Sequence, residues 1–370
     1  MTVVVVSRPV VRTAPYWVST EEIAGDLRER HPAHPRLALW LRMLGHTGVR
    51  TRPWVAPLAE AGADRGVGER SRAAYEGARP LAVDAALEAL RGAGVAPGEV
   101  DCLVTTHTTS WTVPGLDVDL IRLLGLRPDV SRVGLATVAC AGGAHALVQA
   151  ARFVRGHPGA RVLVVAAEAL STLYHPRTLS LQTVLYGGLF GDAGGAVVVR
   201  DADAGADAGA DSGAGRPVPD GLLEVTGTWE FVLPDSQDAY WGVIDRDGLF
   251  FDSGPDAKKA AGRVLPYLTE WLDGHPVGWA AVHPGGPGIV RGTLTGLGLD
   301  PDTGGAHSLA SLARGNLGGV ALLDVLARTL DAGIPGGEGV AVAFGPGFTT
   351  TALRLRAVAG AADPAAAPAP

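Results

Sequence analysis

Cys140 is followed by three small residues, 141–143, at the predicted start of a helix. The dipole and unpaired N–H groups of a first helical turn favour a thiolate, and small side chains let a substrate approach the backbone. A thiolate is the nucleophile that thioester exchange requires. We therefore predict that Cys140 carries an acyl group, although a buried structural cysteine would fit the same segment. The second cysteine, Cys102, lies in an apolar run and is assigned no role.

Two further polar residues could complete a catalytic site. His283 ends an apolar run and enters a glycine- and proline-rich turn at 284–288, from which its ring could point into a cleft. Asn316 precedes the small residues 318–319 and could donate its amide to an oxyanion or enolate. The competing interpretations are a hydrogen-bonded loop histidine and an ordinary helix N-cap. Neither residue taken alone decides between these alternatives.

The spacing of these residues indicates an internal duplication. One predicted strand ends in His107, and Cys140 follows 33 positions later (140 minus 107). A second predicted strand ends in His283, and Asn316 also follows 33 positions later (316 minus 283). The two pairs are 176 positions apart (283 minus 107). Two related halves packed face to face would bring the equivalent helix starts together, so that Cys140 and Asn316 meet with His283 nearby.

The elements that must position these residues alternate between valine-rich apolar runs and amphipathic Ala/Leu stretches, which is typical of an α/β fold. The clearest strand candidate covers 161–167, and the clearest helix candidate covers 141–154. A further similarity between the two halves aligns Phe190 with Phe344, at an offset of 154 (344 minus 190). This pairing predicts 22 extra residues in the first half (176 minus 154), between the Gly-Gly helix and the hairpin that follows Phe190.

The predicted organisation is two halves connected by a low-complexity segment. The first half covers 1–200 and carries Cys140, and the second covers 221–357. Residues 201–220 are rich in Asp, Ala and Gly without apolar periodicity, so we expect a linker or solvated loop. Residues 358–370 have a similar composition, and we expect a disordered tail.

Composition excludes several classes of protein. The chain has 370 residues, of which 47% are hydrophobic, enough for one large core or two fused cores. Its net charge of −7 does not fit a dedicated nucleic-acid binder. Two cysteines provide neither a disulfide framework nor a cysteine-based metal cluster. No apolar stretch spans a bilayer, and the N-terminal run lacks the flanks of a signal peptide. We therefore expect a cytoplasmic protein that binds neither nucleic acid nor membrane.

Five segments together resemble the chalcone synthase-like type III polyketide synthases of the thiolase superfamily. They are the nucleophile segment 135–143, Leu189-Phe190-Gly191-Asp192, Val282-His283-Pro284-Gly285-Gly286-Pro287, Gly315-Asn316 and Phe344-Gly345-Pro346-Gly347-Phe348-Thr349. The resemblance runs from about residue 15 to residue 356, with 201–216 set aside. The chain departs from the last signature at Ala343, where the family has glycine.

This resemblance implies a thiolase-like fold of two pseudo-repeated α/β halves in five layers, αβαβα. It implies repeated decarboxylative Claisen condensation of malonyl-CoA onto an acyl-CoA starter, followed by cyclisation. The substrates are CoA thioesters, and neither a metal nor a tightly bound cofactor is expected. Val113 matches the residue that the family inserts into the partner's cavity, so the resemblance also implies a homodimer.

The resemblance further implies a role for individual residues. Cys140 is the acyl-carrying nucleophile, kept as a thiolate by an ion pair with His283, while His283 and Asn316 bind the thioester carbonyl of malonyl-CoA. Phe190 and Phe251 sit between the CoA tunnel and the cavity. The other implied substrate-binding residues are Thr108, Thr109, Leu170, Leu173, Gly242 and Gly318. The implied CoA-binding residues are Arg42, Gly285, Gly286 and Gly288.

The sequence differs from the family at several positions that contact its substrates. Leu170 and Leu173 stand where relatives carry threonine or cysteine, which makes the wall apolar and bulkier and favours an apolar starter and short products. The lysines that hold CoA phosphates are mostly absent. Arg42 matches one of them, and Arg50 and Arg52 could compensate for the others.

Two alternatives remain open from the sequence, and a third does not fit it. A ketoacyl-ACP synthase of the chain-initiating kind shares the Cys/His/Asn set, but it usually continues its histidine with Gln-Ala-Asn, where this chain has 284–286 as Pro-Gly-Gly. It would also replace CoA by an acyl carrier protein. A catalytically silent partner that binds an acyl chain would fit the missing lysines. A papain-like Cys/His hydrolase does not fit the surrounding motifs.

Overall fold

The computed structural model describes residues 2–204, 222–334 and 337–358. The predicted linker 201–220 therefore lies outside the described residues except for 201–204, and the predicted tail 358–370 lies outside them except for residue 358. The boundaries of the halves at 1–200 and 221–357 stay a prediction. None of the described helices is both long and apolar enough to span a membrane.

The strands and helices of the described residues are as follows. The strands are β1 (Val4–Val6), β2 (Val10–Thr13), β3 (Tyr16–Ser19), β4 (Thr51–Trp54), β5 (Cys102–Thr106), β6 (Ser131–Leu135), β7 (Arg161–Glu168), β8 (Ala193–Asp201), β9 (Leu223–Val232), β10 (Tyr240–Asp245), β11 (Gly248–Ser253), β12 (Trp279–Val282), β13 (Glu338–Phe344) and β14 (Thr349–Ala357). The helices are α1 (Thr20–Arg30), α2 (Leu37–Gly45), α3 (Leu58–Ala61), α4 (Val67–Ala93), α5 (Leu116–Leu124), α6 (Gly142–Gly156), α7 (Leu181–Leu189), α8 (Ala257–Leu272), α9 (Pro287–Gly296), α10 (Ala306–Leu312) and α11 (Ala321–Asp331).

The predicted strand at 161–167 and helix at 141–154 are confirmed as β7 and α6. Strands β5, β7 and β13 are buried along almost their whole length. Continuous apolar runs of this kind are typical of parallel strands covered by helices on both faces. Cys102 begins β5, and burial raises the pKa of its thiol to about 12, which agrees with a purely structural role.

The two halves repeat one strand arrangement. In the first half β5 is parallel to β7, which is antiparallel to β8. In the second half β12 is parallel to β13, which is antiparallel to β14. Strand β7 ends at Glu168 and β13 ends at Phe344, again 176 positions apart (344 minus 168). Antiparallel pairing of β1 with β9 joins the halves into one ten-stranded sheet, in the order β12-β13-β14-β9-β1-β8-β7-β5-β6 with β2 on β8.

The helices form three layers, and each layer packs on the sheet through one hydrophobic cluster. Helices α6 and α11 share the central cluster with strands of both halves. Helices α4 and α5 cover the outer face of the first half, and α8 and α9 cover the outer face of the second. The predicted thiolase-like α/β fold is confirmed. One helix layer lies between the two halves of the sheet, and a further layer covers the outer face of each half.

The predicted pairing of Phe190 with Phe344 is wrong. Phe344 ends β13, whose counterpart in the first half ends at Glu168. Phe190 instead lies in the connection between β7 and β8, residues 169–192, whereas β13 and β14 are joined by residues 345–348 alone. The extra residues therefore lie within this connection, which contains α7 and a 3₁₀ turn. Gly-rich segments align in more than one register, which explains the error.

Candidate active site

Cys140 lies in a 3₁₀ turn, Ala139–Ala141, immediately before α6. The approach is strained, because Thr137 and Ala139 have φ angles of 66° and 44°, which residues other than glycine rarely adopt. A Cβ atom added to Gly142 would lie 2.4 Å from Oγ1 of Thr106. Gly142, two residues after the cysteine, therefore lets α6 start directly against the end of β5.

His283 follows β12 directly, at the position equivalent to His107 in the first half. Its backbone N–H donates to the carbonyl of Val342 over 2.8 Å, and its own carbonyl accepts from Gly285 over 2.9 Å. The imidazole is 2% exposed, and neither ring nitrogen has a hydrogen-bond partner. Burial lowers the pKa of His283 to about 4, so the ring is neutral near pH 7 and can serve a substrate.

Asn316 uses its amide oxygen in a local hydrogen bond and leaves its amide nitrogen available. Its Oδ1 accepts a hydrogen bond of 2.9 Å from the N–H of Gly318, as a capping asparagine does. Its backbone pairs with the segment before β8. The carbonyl of Asn316 accepts a hydrogen bond from the N–H of Gly191, and its N–H donates to the carbonyl of Leu189. Because Oδ1 is occupied, the Nδ2 group is the free end of the amide, and Asn316 lines the same cavity as Cys140.

One cavity of about 450 Å³ brings the three predicted catalytic residues together. Cys140, His283 and Asn316 all line it. The predicted CoA-binding glycines also line it: Gly285, Gly286 and Gly288. Much of the remaining wall is aromatic, formed by Tyr186, Phe190, Tyr240, Phe344 and Phe348. The face-to-face packing inferred from the internal spacing therefore produces one concave site.

The thiol of Cys140 is not preactivated in the way the sequence predicts. Burial raises its pKa to about 12, and the nearby carboxylate of Glu168 adds to the increase. The polar neighbours Asn316 and Tyr240 act in the opposite direction on this pKa but are outweighed. This shift is opposite in direction to the low-pKa thiolate that the sequence predicts, whereas the ion pair with His283 stays a prediction.

A second, narrower space lies behind the nucleophile. A gap of about 180 Å³, too narrow to admit a water molecule, is lined by Thr108, Ala139, Cys140, Glu168, Leu170, Phe190, Phe251 and Gly318. Gly318 has φ +57°, and a Cβ atom there would lie 2.7 Å from Cδ1 of Leu170. The leucine therefore already occupies the room that a side chain at 318 would need.

Comparisons with known proteins agree with this geometry. Residues 57–204 match the family model of the N-terminal domain of chalcone and stilbene synthases. The chain is 30% identical over 352 residues to 1,3,6,8-tetrahydroxynaphthalene synthase of Streptomyces coelicolor, covering 92% of this chain and 89% of the relative. It superposes on germicidin synthase of Streptomyces coelicolor, a type III polyketide synthase, with a TM-score of 0.87 and 29% identity, covering 97% of this chain and 100% of the other.

The chain belongs to the type III polyketide synthases. It is also 30% identical over 296 residues to an alpha-pyrone synthesis polyketide synthase-like protein of Mycobacterium tuberculosis, covering 77% of this chain and 72% of that protein. The chain is therefore an acyltransferase that condenses malonyl-CoA units iteratively onto an acyl-CoA starter. Neither a ketoacyl-ACP synthase nor a silent acyl-binding partner is favoured.

Phe190 and Phe251 lie together beside the nucleophile of this type III polyketide synthase. Their ring centroids are 5.9 Å apart, and both rings belong to one buried cluster with Cys140, Leu170 and Leu173. The two predicted phenylalanines and two predicted leucines thus border the same region. Leu170 also lines the narrow gap, whereas Leu173 packs in the cluster.

The two predicted threonines differ in position. Thr108 lines the narrow gap, and its backbone N–H donates to Oε2 of Glu168 over 3.1 Å. Thr109 donates its hydroxyl to the same oxygen over 3.1 Å and accepts the N–H of Ala169. Thr109 therefore supports Glu168, a residue that the sequence analysis missed. Burial raises the pKa of Glu168 to about 7.

Gly242 leaves room for the ring of Phe251. It pairs with Phe251 across β10 and β11, and a Cβ atom on Gly242 would lie 2.9 Å from Cε1 of that ring. The glycine thus lets Phe251 lie flat against the hairpin. Tyr240, missed by the sequence analysis, lies two residues earlier on the same strand. Alternation in a strand puts residues i and i+2 on one face, so Gly242 itself pointed to Tyr240.

Two of the remaining predicted residues lie at the surface, whereas Arg52 is buried. Arg42 is exposed on α2, and Val113 is fully exposed after β5. Arg52 cannot compensate for the missing lysines, because it is fully buried and donates to the carbonyl groups of Val18 and Gly188. Burial lowers its pKa to about 10. Within the described ranges no group of three or more His, Cys, Asp or Glu residues could hold a metal ion.

Proposed function

We propose that Cys140 accepts the starter acyl group and the growing chain, while His283 and Asn316 bind the thioester carbonyl of malonyl-CoA. The observation that carries this assignment is the pair of unpartnered ring nitrogens of His283, buried in the same cavity as the thiol and the amide. A buried polar group without a partner costs folding free energy, so such a group is typical of a site that receives one from a ligand.

Loading begins from the neutral pair. With the starter thioester bound, the thiol proton of Cys140 passes to a ring nitrogen of His283. The thiolate attacks the thioester carbonyl, the C–S bond to CoA breaks, and CoA takes up the proton and leaves as a thiol.

Extension uses the other two residues. In bound malonyl-CoA the bond to the carboxylate breaks, CO₂ leaves, and the electron pair forms an enolate. A neutral imidazole N–H of His283 and the Nδ2 group of Asn316 donate to the enolate oxygen. The enolate carbon attacks the acyl group on Cys140, and the thiolate is released. The reaction as proposed uses the CoA thioesters and the protein's own groups, with no metal or bound cofactor.

The narrow gap behind Cys140 favours short products from an apolar starter. It does not admit a water molecule, whereas the outer cavity has about 450 Å³. Leu170 fills it from one side, and Phe190 and Phe251 fill it from another. A chain on Cys140 therefore has room mainly in the outer cavity, and extension stops early. Triketide and tetraketide pyrones fit this limit.

The proposal includes a homodimer. Val113 projects fully into solvent, and Trp111 beside it is 49% exposed. Two large apolar side chains in one loop are typical of a surface that another protein covers. Sedimentation of the protein as a single species of twice the chain mass supports the dimer. A monomer at micromolar concentration contradicts it.

The function is tested with the purified protein, malonyl-CoA and a panel of acyl-CoA starters of increasing apolar length, with products read by mass spectrometry. We expect CoA-dependent condensation products, with apolar starters preferred over polar ones. The same panel with malonyl groups on an acyl carrier protein tests the donor. Absence of both product and CO₂ release with every starter would contradict the proposed activity.

A further inference from the structure

Tyr186 lies on the face of α7 that lines the outer cavity. Leu189 and Phe190, three and four positions later, line the same cavity. Residues at this spacing share one face of a helix. Val184 lies on the opposite face, where it packs in a separate buried cluster with Leu44. The helix therefore presents the ring of Tyr186 to the substrate, although the reaction proposed above gives this residue no role.

Tyr186 contacts three other aromatic rings beside the nucleophile. Its ring centroid lies 6.0 Å from that of Phe190, 5.8 Å from that of Tyr240 and 6.4 Å from that of Phe251. Ring pairs at these distances stabilise one another. All four residues belong to, or pack against, the buried cluster that contains Cys140. We call these four residues the ring partition.

The ring partition separates two spaces. Tyr186 and Tyr240 line the outer cavity, and Phe251 lines the narrow gap behind the nucleophile. Phe190 and Cys140 line both spaces. Tyr186 therefore stands on the outer side of Phe190 and Phe251 and supports the rings that close the gap. An acyl chain on Cys140 borders both spaces but finds room in the outer cavity.

Helix α7 has no room to move away from the cavity. A Cβ atom on Gly188 would lie 2.5 Å from Cδ1 of Leu44, and one on Gly187 would lie 3.1 Å from Cδ2 of Tyr174. The backbone of α7 therefore packs directly against these side chains, and close-packed groups of this kind yield little. The ring of Tyr186 is thus held against the partition from behind.

We propose that Tyr186 is a specificity-determining residue, whose ring limits the length of the acyl chain that Cys140 can carry. This inference rests on the proposed function of Cys140. The ring occupies room in the outer cavity and supports Phe190 and Phe251 at the gap. A longer chain has to displace it, and close-packed side chains resist such a displacement. The enzyme therefore selects short linear starters over long ones, independently of the leucine on the other side of the gap.

Tyr186→Ala and Tyr186→Phe test the role of the ring. The rates at which butanoyl-CoA and dodecanoyl-CoA acylate Cys140 are measured by intact-protein mass, and the acylated residue is identified by peptide mass spectrometry. In Tyr186→Ala we expect the ratio of the dodecanoyl rate to the butanoyl rate to rise roughly tenfold or more, because even one methylene group in an apolar pocket changes rates by about this factor. Tyr186→Phe keeps the ring and should keep the wild-type ratio.

Val184→Ala is the matched control. It removes a buried side chain from the opposite face of α7, so we expect a lower melting temperature with the wild-type ratio. Tyr186→Leu lacks the ring but keeps an apolar side chain. It replaces Tyr186→Ala if that variant does not fold, and it should give a smaller rise. An unchanged ratio in a folded variant without the ring overturns the proposal, and so does an equal rise in Val184→Ala.

Alkylation separates this inference from the proposed function. Iodoacetamide and N-dodecyl iodoacetamide alkylate a thiol without acyl transfer, so the ratio of their rates at Cys140 reports the room beside the sulfur. We expect the same change in this ratio in Tyr186→Ala, in favour of the longer reagent. If no starter acylates the wild-type enzyme but the alkylation ratio changes in this way, the proposed function of Cys140 fails and the limit set by Tyr186 stands. Normal acylation with unchanged ratios has the opposite meaning.

Discussion

Gly143 and Gly319 hold equivalent positions in the two halves, 176 residues apart (319 minus 143), and they meet at the centre of the molecule. A Cβ atom on Gly143 would lie 2.4 Å from the carbonyl oxygen of Gly319. This approach of backbone to backbone brings the segment of Cys140 against the segment of Asn316. A Cβ atom on Gly319 would also lie 3.1 Å from the carbonyl oxygen of Ala139.

Gly143→Ala tests this contact. The added methyl group meets backbone, which cannot turn aside as a side chain does, so we expect a loss of roughly 1 to 3 kcal/mol in unfolding free energy. The separation of the two segments should also lower activity. Urea unfolding and product formation measure the two effects. Gly156→Ala in the same helix is the control, because nothing lies within 4 Å of its Cβ position. Equal stability of both alanine variants would contradict the contact.

Cys140→Ala separates chain building from decarboxylation. The variant should lose condensation but retain slow release of CO₂ from malonyl-CoA, since His283 and Asn316 stabilise the enolate without the thiol. His283→Ala and Asn316→Ala should each lower decarboxylation by roughly two to three orders of magnitude. Radiolabelled CO₂ release provides the measurement. Equal loss of both activities in folded Cys140→Ala would contradict this division.

Leu170→Thr combined with Leu173→Thr tests the product limit. Both leucines are buried beside the nucleophile. Smaller polar side chains should widen the narrow gap and give longer or differently cyclised products. The loss of burial should also lower the unfolding free energy, by roughly 2 kcal/mol or more for each residue. Leu120→Thr, on the buried face of α5, is the control for stability alone. A lower melting temperature with unchanged products would contradict the cavity assignment.

Glu168→Gln tests a pH effect on stability. Burial raises the pKa of Glu168 from 4.5 to about 7, so the folded protein binds a proton that the unfolded chain releases. This contribution is fully present below pH 4.5 and is lost as the pH rises through 7. The 2.5-unit difference (7 minus 4.5) sets an upper limit of roughly 3 kcal/mol. Relative to wild type, Glu168→Gln should therefore gain unfolding free energy between about pH 5 and pH 8. A constant difference across this range would contradict the raised pKa.

The sequence alone predicted the catalytic set through spacing. A 33-residue interval that occurs twice, at a fixed offset of 176, predicts that Cys140, His283 and Asn316 are neighbours. The interval survives because each half needs the same strand, crossover and helix to place its residue at the interface. Valine-rich runs and glycines at the helix starts likewise predicted β7, α6 and their tight packing, since these depend on local propensity.

Other properties depended on which groups the fold buries together. The sequence predicted a thiolate at Cys140, but desolvation outweighs the helix start and raises the thiol pKa to about 12. The sequence also suggested that Arg52 binds CoA, although in the fold it is buried and donates to backbone carbonyl groups. Tyr240 lines the cavity of Cys140 from a hairpin 100 residues further along the chain (240 minus 140). Burial and such long-range contacts have no local signature, because they arise from segments that meet only in the folded chain.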